Sequence, residues 1–128
     1  MIVLDYNIIR EQKELLRLQR VHFQQIGMEI GLPSWDDQQE ILRYLHKAKR
    51  PTFFTRDDDF FRYRLCHSNY CLAFIDAPES ETAVFVHRFL RHPGFKTKAQ
   101  RCGKVVKLSP RVVTWWDVGK PQRQSLIW

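Results

Sequence analysis

Three consecutive aspartates, Asp57, Asp58 and Asp59, follow a short apolar run in the segment PTFFTRDDDF. The run Thr52–Thr55 is β-branched and aromatic, which is typical of a buried strand, so the aspartates come at its carboxyl end. Neighbouring carboxylates repel one another by about 1 kcal/mol per pair at 4 Å in water, and by about 4 kcal/mol at an effective dielectric of 20. A hard divalent cation would offset this repulsion. The alternative interpretation is a solvated acidic turn.

Other acids occur where the chain is expected to return to the same edge of a sheet. Asp5 follows the apolar run of residues 1–4, and Asp37 and Glu40 share one face at the start of a predicted helix. Because the carboxyl ends of parallel strands meet at one crevice, Asp5, Asp57 and Asp59 could converge there with one of the helix acids. The helix acids could also face water, where they would favour the positive end of the helix dipole.

The residue types in this set decide which metal it would suit. All the candidates are carboxylates, and neither His nor Cys occurs at ligand spacing, which favours Mg²⁺ or Mn²⁺ over zinc. Cys66, Cys71 and Cys102 are odd in number and lack a C-x-x-C pair, so we expect neither a disulfide framework nor a zinc site. Hard cations beside a basic surface are typical of phosphodiester hydrolysis, since the metal activates a water and stabilises the leaving oxygen.

A basic surface is indicated by the second half of the chain. The formal net charge is +7, and residues 82–116 contain no acid. Such a stretch favours contact with the phosphate backbone of a nucleic acid. Trp115 and Trp116 could stack on the bases of a single strand or could pack in the core. The residues that we expect to bind RNA are Arg88, Arg91, Lys96, Lys98, Arg101 and Lys104.

The order of the predicted elements indicates an α/β fold. A strand at residues 1–4, a helix at 8–19 and a strand at 21–26 form a parallel βαβ unit with a right-handed crossover. A helix, the central strand, a strand at 70–75, a helix ending near 92 and strands at 104–108 and 111–116 follow. With 128 residues, one domain is expected. We assign residues 1–118 to this domain and residues 119–128 to a tail, either disordered or docked at an interface.

Localisation is predicted from what the sequence lacks. No apolar run approaches the length that spans a bilayer, and the start MIVLDYN has no basic region ahead of an apolar one. We therefore expect a cytoplasmic protein with no membrane association.

Three of these segments resemble motifs of the PIN-like nuclease domains, especially the short bacterial group found as toxins of toxin-antitoxin pairs. In that group a strand ends in Leu-Asp-Glu-Asn, a helix carries an acid before an Ile-Leu pair, and a later strand ends in Thr-x-Asp-x-Asp-Phe. The resemblance covers roughly residues 1–76, and Thr-Arg-Asp-Asp-Asp-Phe is its most specific part. The corresponding segments here are MIVLDYN, DDQQEIL and FFTRDDDF.

The resemblance implies a three-layer α/β sandwich with a mainly parallel central sheet and a Mg²⁺- or Mn²⁺-dependent endoribonuclease. It also implies a cognate antitoxin and frequent homodimers. Tyr6 stands where the group has a glutamate, and Asp36, Asp37 and Glu40 compete for the helix position. The alternative is a catalytically inert PIN-like module that binds RNA or a protein. By resemblance, the metal ligands are Asp5, Asp37, Asp57 and Asp59, Asp58 is variable, and Asn7 and Thr55 support the acids through hydrogen bonds.

Overall fold

The computed structural model describes residues 1–35 and 38–128. Within this part of the chain, short 3₁₀ turns occur at Asp58–Phe60, Tyr63–Leu65 and Glu79–Glu81. The strands and α-helices, in chain order, are β1 Ile2–Leu4, α1 Arg10–Leu18, β2 Gln24–Gln25, α2 Gln38–Lys47, β3 Thr52–Thr55, β4 Cys71–Ile75, α3 Thr82–Arg91, α4 Lys98–Arg101, β5 Lys104–Leu108, β6 Val112–Asp117 and β7 Lys120–Ile127.

The strands form one sheet in the order β2-β1-β3-β4-β5-β6-β7. Neighbours from β2 to β5 pair in parallel, whereas β6 and β7 continue the sheet as antiparallel strands. The prediction of a mixed α/β fold with a parallel centre is confirmed. Chain progression along the sheet reverses at β1, because β2 lies on one side of it and β3 on the other. The carboxyl ends of β1 and β3 therefore flank a topological switch point, where open α/β sheets bind ligands.

Each face of the sheet carries its own hydrophobic core. On one face, Leu16 of α1 and Phe89 of α3 pack with Phe54 of the central strand. On the other face, Ile41 of α2 and Phe60 of a 3₁₀ turn pack in a second cluster. Because successive side chains of a strand point to opposite faces, the neighbouring residues Phe53 and Phe54 of β3 supply one ring to each core. The result is a layer of helix or turn on both sides of the sheet.

Residues 119–128, which we assigned to a tail, instead complete the sheet. Lys120–Ile127 pairs with β6 along its length after a turn at Gly119, whose φ of 76° suits glycine. Trp128 then packs against Phe85, and its Nε1 donates to the carbonyl of Ser109 at 2.7 Å. The β7 side chains are exposed on both faces, so backbone pairing fixes this strand without a buried apolar pattern.

Two other differences from the expected elements bear on the site. The strand expected at residues 21–26 is only Gln24–Gln25, because Arg20 takes a left-handed φ of 60° after α1 and the next residues form a connection. The second difference is the 3₁₀ turn Asp58–Phe60, which directly follows the central strand. Separately, no described helix combines the length and the apolar character needed to cross a membrane.

Candidate active site

Asp5 lies at the switch point, one residue beyond β1, and is only 8% exposed. Its backbone N–H donates to the carbonyl of Phe54 at 2.9 Å, which ties it to the adjacent strand β3. Its Oδ1 accepts from the Tyr6 N–H at 2.7 Å, and its Oδ2 accepts from the Thr55 hydroxyl at 2.6 Å. The carboxylate is therefore held in one orientation by the residue that follows it and by the last residue of β3.

Thr55 links this carboxylate to the aspartate triplet. Its hydroxyl donates to Asp5 and also accepts from the backbone N–H of Asp57 at 3.0 Å. One buried hydroxyl thus fixes the position of Asp5 relative to the chain at Asp57. A residue without a hydroxyl at this position would leave both partners unsatisfied.

Burial raises the pKa of Asp5 above its ordinary value, because the charged form loses hydration. The hydrogen bonds from Thr55 and Tyr6 lower the pKa and oppose this effect, while the nearby charge of Asp57 raises it further. A carboxylate that is desolvated and repelled by a neighbouring acid would be stabilised by a cation between the two groups.

The aspartate triplet forms a tight acidic turn. Asp57 caps the 3₁₀ turn, since its Oδ1 accepts from the Asp59 N–H at 2.9 Å. Among the described residues, the acids whose ligand atoms lie within 4.8 Å of one another are Asp57, Asp58 and Asp59, and this group could hold a metal ion. Asp58 and Asp59 are exposed, and Asp59 is 3.7 Å from Nη2 of Arg62.

Asp5 and Asp57 line one small cavity of about 140 Å³. Asn7 and Tyr6 contribute to the same wall. The Tyr6 ring packs against Gly27, where an added Cβ would lie 2.5 Å from the ring. This volume is below the roughly 300 to 1,000 Å³ of small-molecule pockets, so the cavity suits an ion with its waters. The remaining lining residues are Pro33, Trp35, Ile41 and Phe60.

Of the three acids near the start of α2, Glu40 alone lies within the described residues. Asp37, predicted as a ligand, and its competitor Asp36 lie outside the described residues. Glu40 lines a separate groove with Trp35 and Tyr44. The start of α2 does reach the acidic turn, because Gln38 Nε2 donates to the carbonyl of Asp59 at 2.9 Å.

Gln25 supports the loop after β1 and was not among the predicted site residues. Its buried amide donates to the carbonyls of Asp5, Tyr6 and Ile8 at 3.0, 3.2 and 3.1 Å. Lys13 in turn donates to the Gln25 Oε1 at 2.7 Å. Little in the sequence indicates this supporting role, because a glutamine in a polar stretch is not expected to be buried.

The residues that we expected to bind RNA lie apart from the acids. Arg101 is buried, and its guanidinium donates to the Thr52 hydroxyl and to the carbonyls of Phe95 and Lys96 at 2.9 to 3.0 Å. Thr52 begins β3 and Lys104 begins β5, so α4 and its surroundings occupy the amino edge of the parallel strands. Asp5 and Asp57 occupy the opposite edge.

The remaining members of that predicted set have varied surroundings. Lys98 lies beside the amino group of Met1, and Lys104 forms a 2.8 Å ion pair with Asp117. Arg88 stacks on Trp128 and donates to the Pro110 carbonyl. Lys96 and Arg91 are exposed and line a recess beside α3. Three of the six, Arg91, Lys96 and Arg101, thus line one recess, whereas Arg88, Lys98 and Lys104 have other neighbours.

A basic aromatic surface does lie next to the acidic turn. It consists of Phe61, Tyr63, Lys107, Trp116 and Arg123. The Phe61 and Trp116 rings are 4.6 Å apart, and Tyr63 is 6.3 Å from Trp116. Lys107 lies 5.5 Å from the Phe61 ring and Arg123 lies 5.9 Å from the Trp116 ring. Phe61 follows the 3₁₀ turn directly, so this surface begins where the acids end.

Trp115 and Trp116 point to opposite faces of β6. Trp115 packs at 5.3 Å from Phe95 in the helix-covered core, whereas Trp116 belongs to the basic aromatic surface. The core interpretation is confirmed for Trp115, and Trp116 also packs against the second core cluster while remaining partly exposed, so its stacking on bases stays a prediction.

Comparison of the chain with protein-family models, with curated proteins and with solved structures finds no match.

Proposed function

We propose that the chain is a PIN-like endoribonuclease that uses Mg²⁺ or Mn²⁺ and acts as the toxin of a toxin-antitoxin pair. The observation that carries this proposal is the pairing of Asp5 and Asp57, which line one cavity at the switch point and share the Thr55 hydroxyl. The cognate antitoxin and a homodimer are proposed on the resemblance of the three acidic motifs.

The donors around the cavity fit a hard cation. They are carboxylate oxygens with a nearby Asn7, and hard divalent ions prefer oxygen ligands. Asp5 and Asp57 would hold the ion, with Asp59 and Asp37 as further candidate ligands. When bound, the cation would activate a water and neutralise charge on the phosphate. Thr55 and the Tyr6 N–H keep Asp5 oriented before any ligand arrives.

RNA would approach the acids across the basic aromatic surface. Lys107 and Arg123 supply positive charge, and Tyr63 and Trp116 offer partly exposed rings. Aromatic stacking contributes roughly 1 to 3 kcal/mol per base and tolerates any sequence. This supports a single-stranded substrate. The dispersed basic residues Arg88, Arg91, Lys96, Lys98 and Lys104 remain proposed as secondary phosphate contacts.

An inert RNA-binding module is the second candidate. The observation that favours it is that both Asp5 oxygens already accept hydrogen bonds and that Tyr6 packs where the nuclease group has an acid. Such a module would retain the basic aromatic surface and would not depend on Asp57.

The deciding experiment is cleavage of single-stranded RNA in Mg²⁺, Mn²⁺ or EDTA. Asp57→Asn should reduce the rate by roughly 100-fold or more, as loss of a group that stabilises the reacting phosphate typically does. Asp58→Asn is the matched control, since Asp58 is the exposed neighbour of Asp57 and the substitution removes the same charge. We expect the cleavage rate of this variant to stay within a few-fold of wild type.

Cleavage that persists in EDTA, or that survives Asp57→Asn, would contradict the nuclease proposal. Binding of RNA without cleavage by the wild type, unchanged in Asp57→Asn, would establish the inert module instead.

A further inference from the structure

A second polar recess of about 460 Å³ lies at the amino edge of the sheet, between the carboxyl ends of α1 and α3. Its walls carry only neutral or basic residues, with no carboxylate among the lining side chains. We call it the basic recess and define it by Arg20, His22, His87, Arg91, Lys96 and Arg101.

The positive charges of the basic recess are not neutralised within the described part of the chain. Arg20, Arg91 and Lys96 are exposed and take part in none of the ion pairs found there. Arg91 instead donates from Nε to the Nε2 of His87 at 3.4 Å, and its two terminal nitrogens form no hydrogen bond or ion pair with the described residues. A forked guanidinium with free terminal nitrogens is the geometry that binds phosphate through two hydrogen bonds.

Arg101 adds a buried charge to the wall of the recess. It is 5% exposed and its partners are neutral oxygens of Thr52, Phe95 and Lys96. Burial lowers the pKa of its guanidinium, because a charge removed from water without a counter-ion is destabilised. The bond to the Lys96 carbonyl also places Lys96 at the rim. An anion in the recess would offset the cost of the buried charge.

Arg20 sits in a strained backbone conformation. Its φ of 60° lies in the left-handed region, where glycine or asparagine is favoured.

The alternative explanation of the recess is that basic residues at helix ends complement the helix dipole, which would explain Arg20 and Arg91. That explanation does not extend to His22 or Lys96, which lie outside the helices.

We infer that the basic recess binds a phosphomonoester. The cations would hold the phosphate, and Ile2, Val21 and Leu90 form an apolar wall for the group that carries it. Its volume is that of a small-ligand pocket and is larger than a phosphate needs. The phosphate could belong to a free nucleotide or to the 5′ end of an RNA. The recess is separate from the acidic cavity, so the inference does not depend on the proposed nuclease activity.

The test is isothermal titration of the full chain, in EDTA and low salt, with adenosine 5′-monophosphate, inorganic phosphate or adenosine. We expect the two phosphate-bearing probes to bind and adenosine not to bind. Lys96→Ala and Arg91→Ala should each weaken the affinity by about tenfold, because each removes a charge-assisted contact. Lys49→Ala is the control, since Lys49 is also an exposed lysine at the amino edge of the sheet but lines a different pocket, and it should change the affinity by less than about twofold.

A comparison of 5′-phosphorylated and 5′-hydroxyl oligoribonucleotides of one sequence distinguishes the source of the phosphate. Tighter binding of the phosphorylated oligomer, lost in Lys96→Ala, would identify an RNA end, whereas equal binding of the two oligomers would identify a free nucleotide. The inference would be overturned if no phosphate probe bound, if adenosine bound as tightly as adenosine 5′-monophosphate, or if Lys96→Ala and Lys49→Ala had equal effects. Using Asp57→Asn protein in parallel keeps this result independent of cleavage.

Discussion

Asp5 is a buried acid whose surroundings disfavour its charged form. It is buried at the end of β1, next to another acid, and its pKa is raised mainly by desolvation. Its two hydrogen bonds orient the carboxylate and only partly offset the loss of water. Buried acids with perturbed pKa values cluster at functional sites because the same surroundings prepare them to bind or react.

Asp5→Asn should therefore stabilise the metal-free fold at neutral pH. A carboxyl whose folded pKa lies above its unfolded value of 3.8 favours the fold fully below that pH, and this contribution is lost as the pH rises through the folded value. The melting temperature of Asp5→Asn should exceed that of the wild type at pH 7, and the difference should shrink near pH 4. A variant that is less stable than wild type at pH 7 would count against this account of Asp5.

Thr55→Val should lower stability with little change in shape. The valine would leave the Asp5 Oδ2 and the Asp57 N–H without the hydroxyl that joins them, at a cost of roughly 1 to 3 kcal/mol. Urea unfolding measures the change, and Thr55→Ser, which keeps the hydroxyl, is the control. Equal stability of the valine and serine variants would show that the bridge contributes nothing.

At the scale of elements, α4 shows how a basic segment can serve the fold. Thr97 and Gln100 form a capping box at its start, and Arg101 at its end reaches across to β3. The side chain of Arg101 joins α4, β3 and the residues before α4 through three hydrogen bonds. A charged residue in a basic stretch was expected on the surface, and its burial follows from this junction.

Arg101→Met should consequently destabilise the fold by roughly 1 to 3 kcal/mol, because the buried acceptors lose their donor. Lys98→Ala, in the same helix but exposed, should change stability by less than about 0.5 kcal/mol. Denaturant unfolding of both variants gives the comparison. If Arg101→Met were as stable as wild type, the three hydrogen bonds of the guanidinium would not contribute to the stability of the fold.

The elements predicted from sequence are those with an apolar pattern. The runs at β1, β3 and β4 and the stripe of α2 carry their own periodicity, and the acids at the ends of β1 and β3 follow from it. The strand β7 has no such pattern, since its side chains are exposed and only backbone bonds hold it. The position of α4 could have been predicted from the order of the elements, because a helix that precedes a parallel strand ends at the amino edge of the sheet. The buried partners of Gln25 and Arg101 depend on contacts between distant segments, which no local pattern contains.

At the scale of the whole molecule, the sheet separates two kinds of surface. The acidic cavity lies at the carboxyl ends of β1 and β3, and the basic aromatic surface lies next to it on the helix-free part of β5 to β7. The basic recess lies at the opposite, amino edge of the sheet. The net charge of +7 is therefore spread over regions with different relations to the acids. Charge near the acids should govern cleavage, and charge at the far edge should matter less.

Removing two charges from each region tests this division. Lys107→Ala with Arg123→Ala should weaken binding of single-stranded RNA and reduce its dependence on salt, since each lost phosphate contact lowers the salt slope by roughly 0.7 for a single strand. Lys49→Ala with Lys98→Ala, an equal charge change at the amino edge, should alter the slope less. Fluorescence anisotropy over a range of salt concentrations measures both, and equal slopes in the two double variants would reject the assignment of RNA to the basic aromatic surface.

The central claim is that Asp5 and Asp57 act together on one metal ion. The most direct test is a double-mutant cycle of Asp5→Asn and Asp57→Asn, with the rate of Mg²⁺-dependent RNA cleavage as the readout. Groups that act as a unit are strongly non-additive, so each single variant should lose nearly as much activity as the double variant. Independent losses that multiply in the double variant, or a single variant that cleaves at the wild-type rate, would contradict the claim.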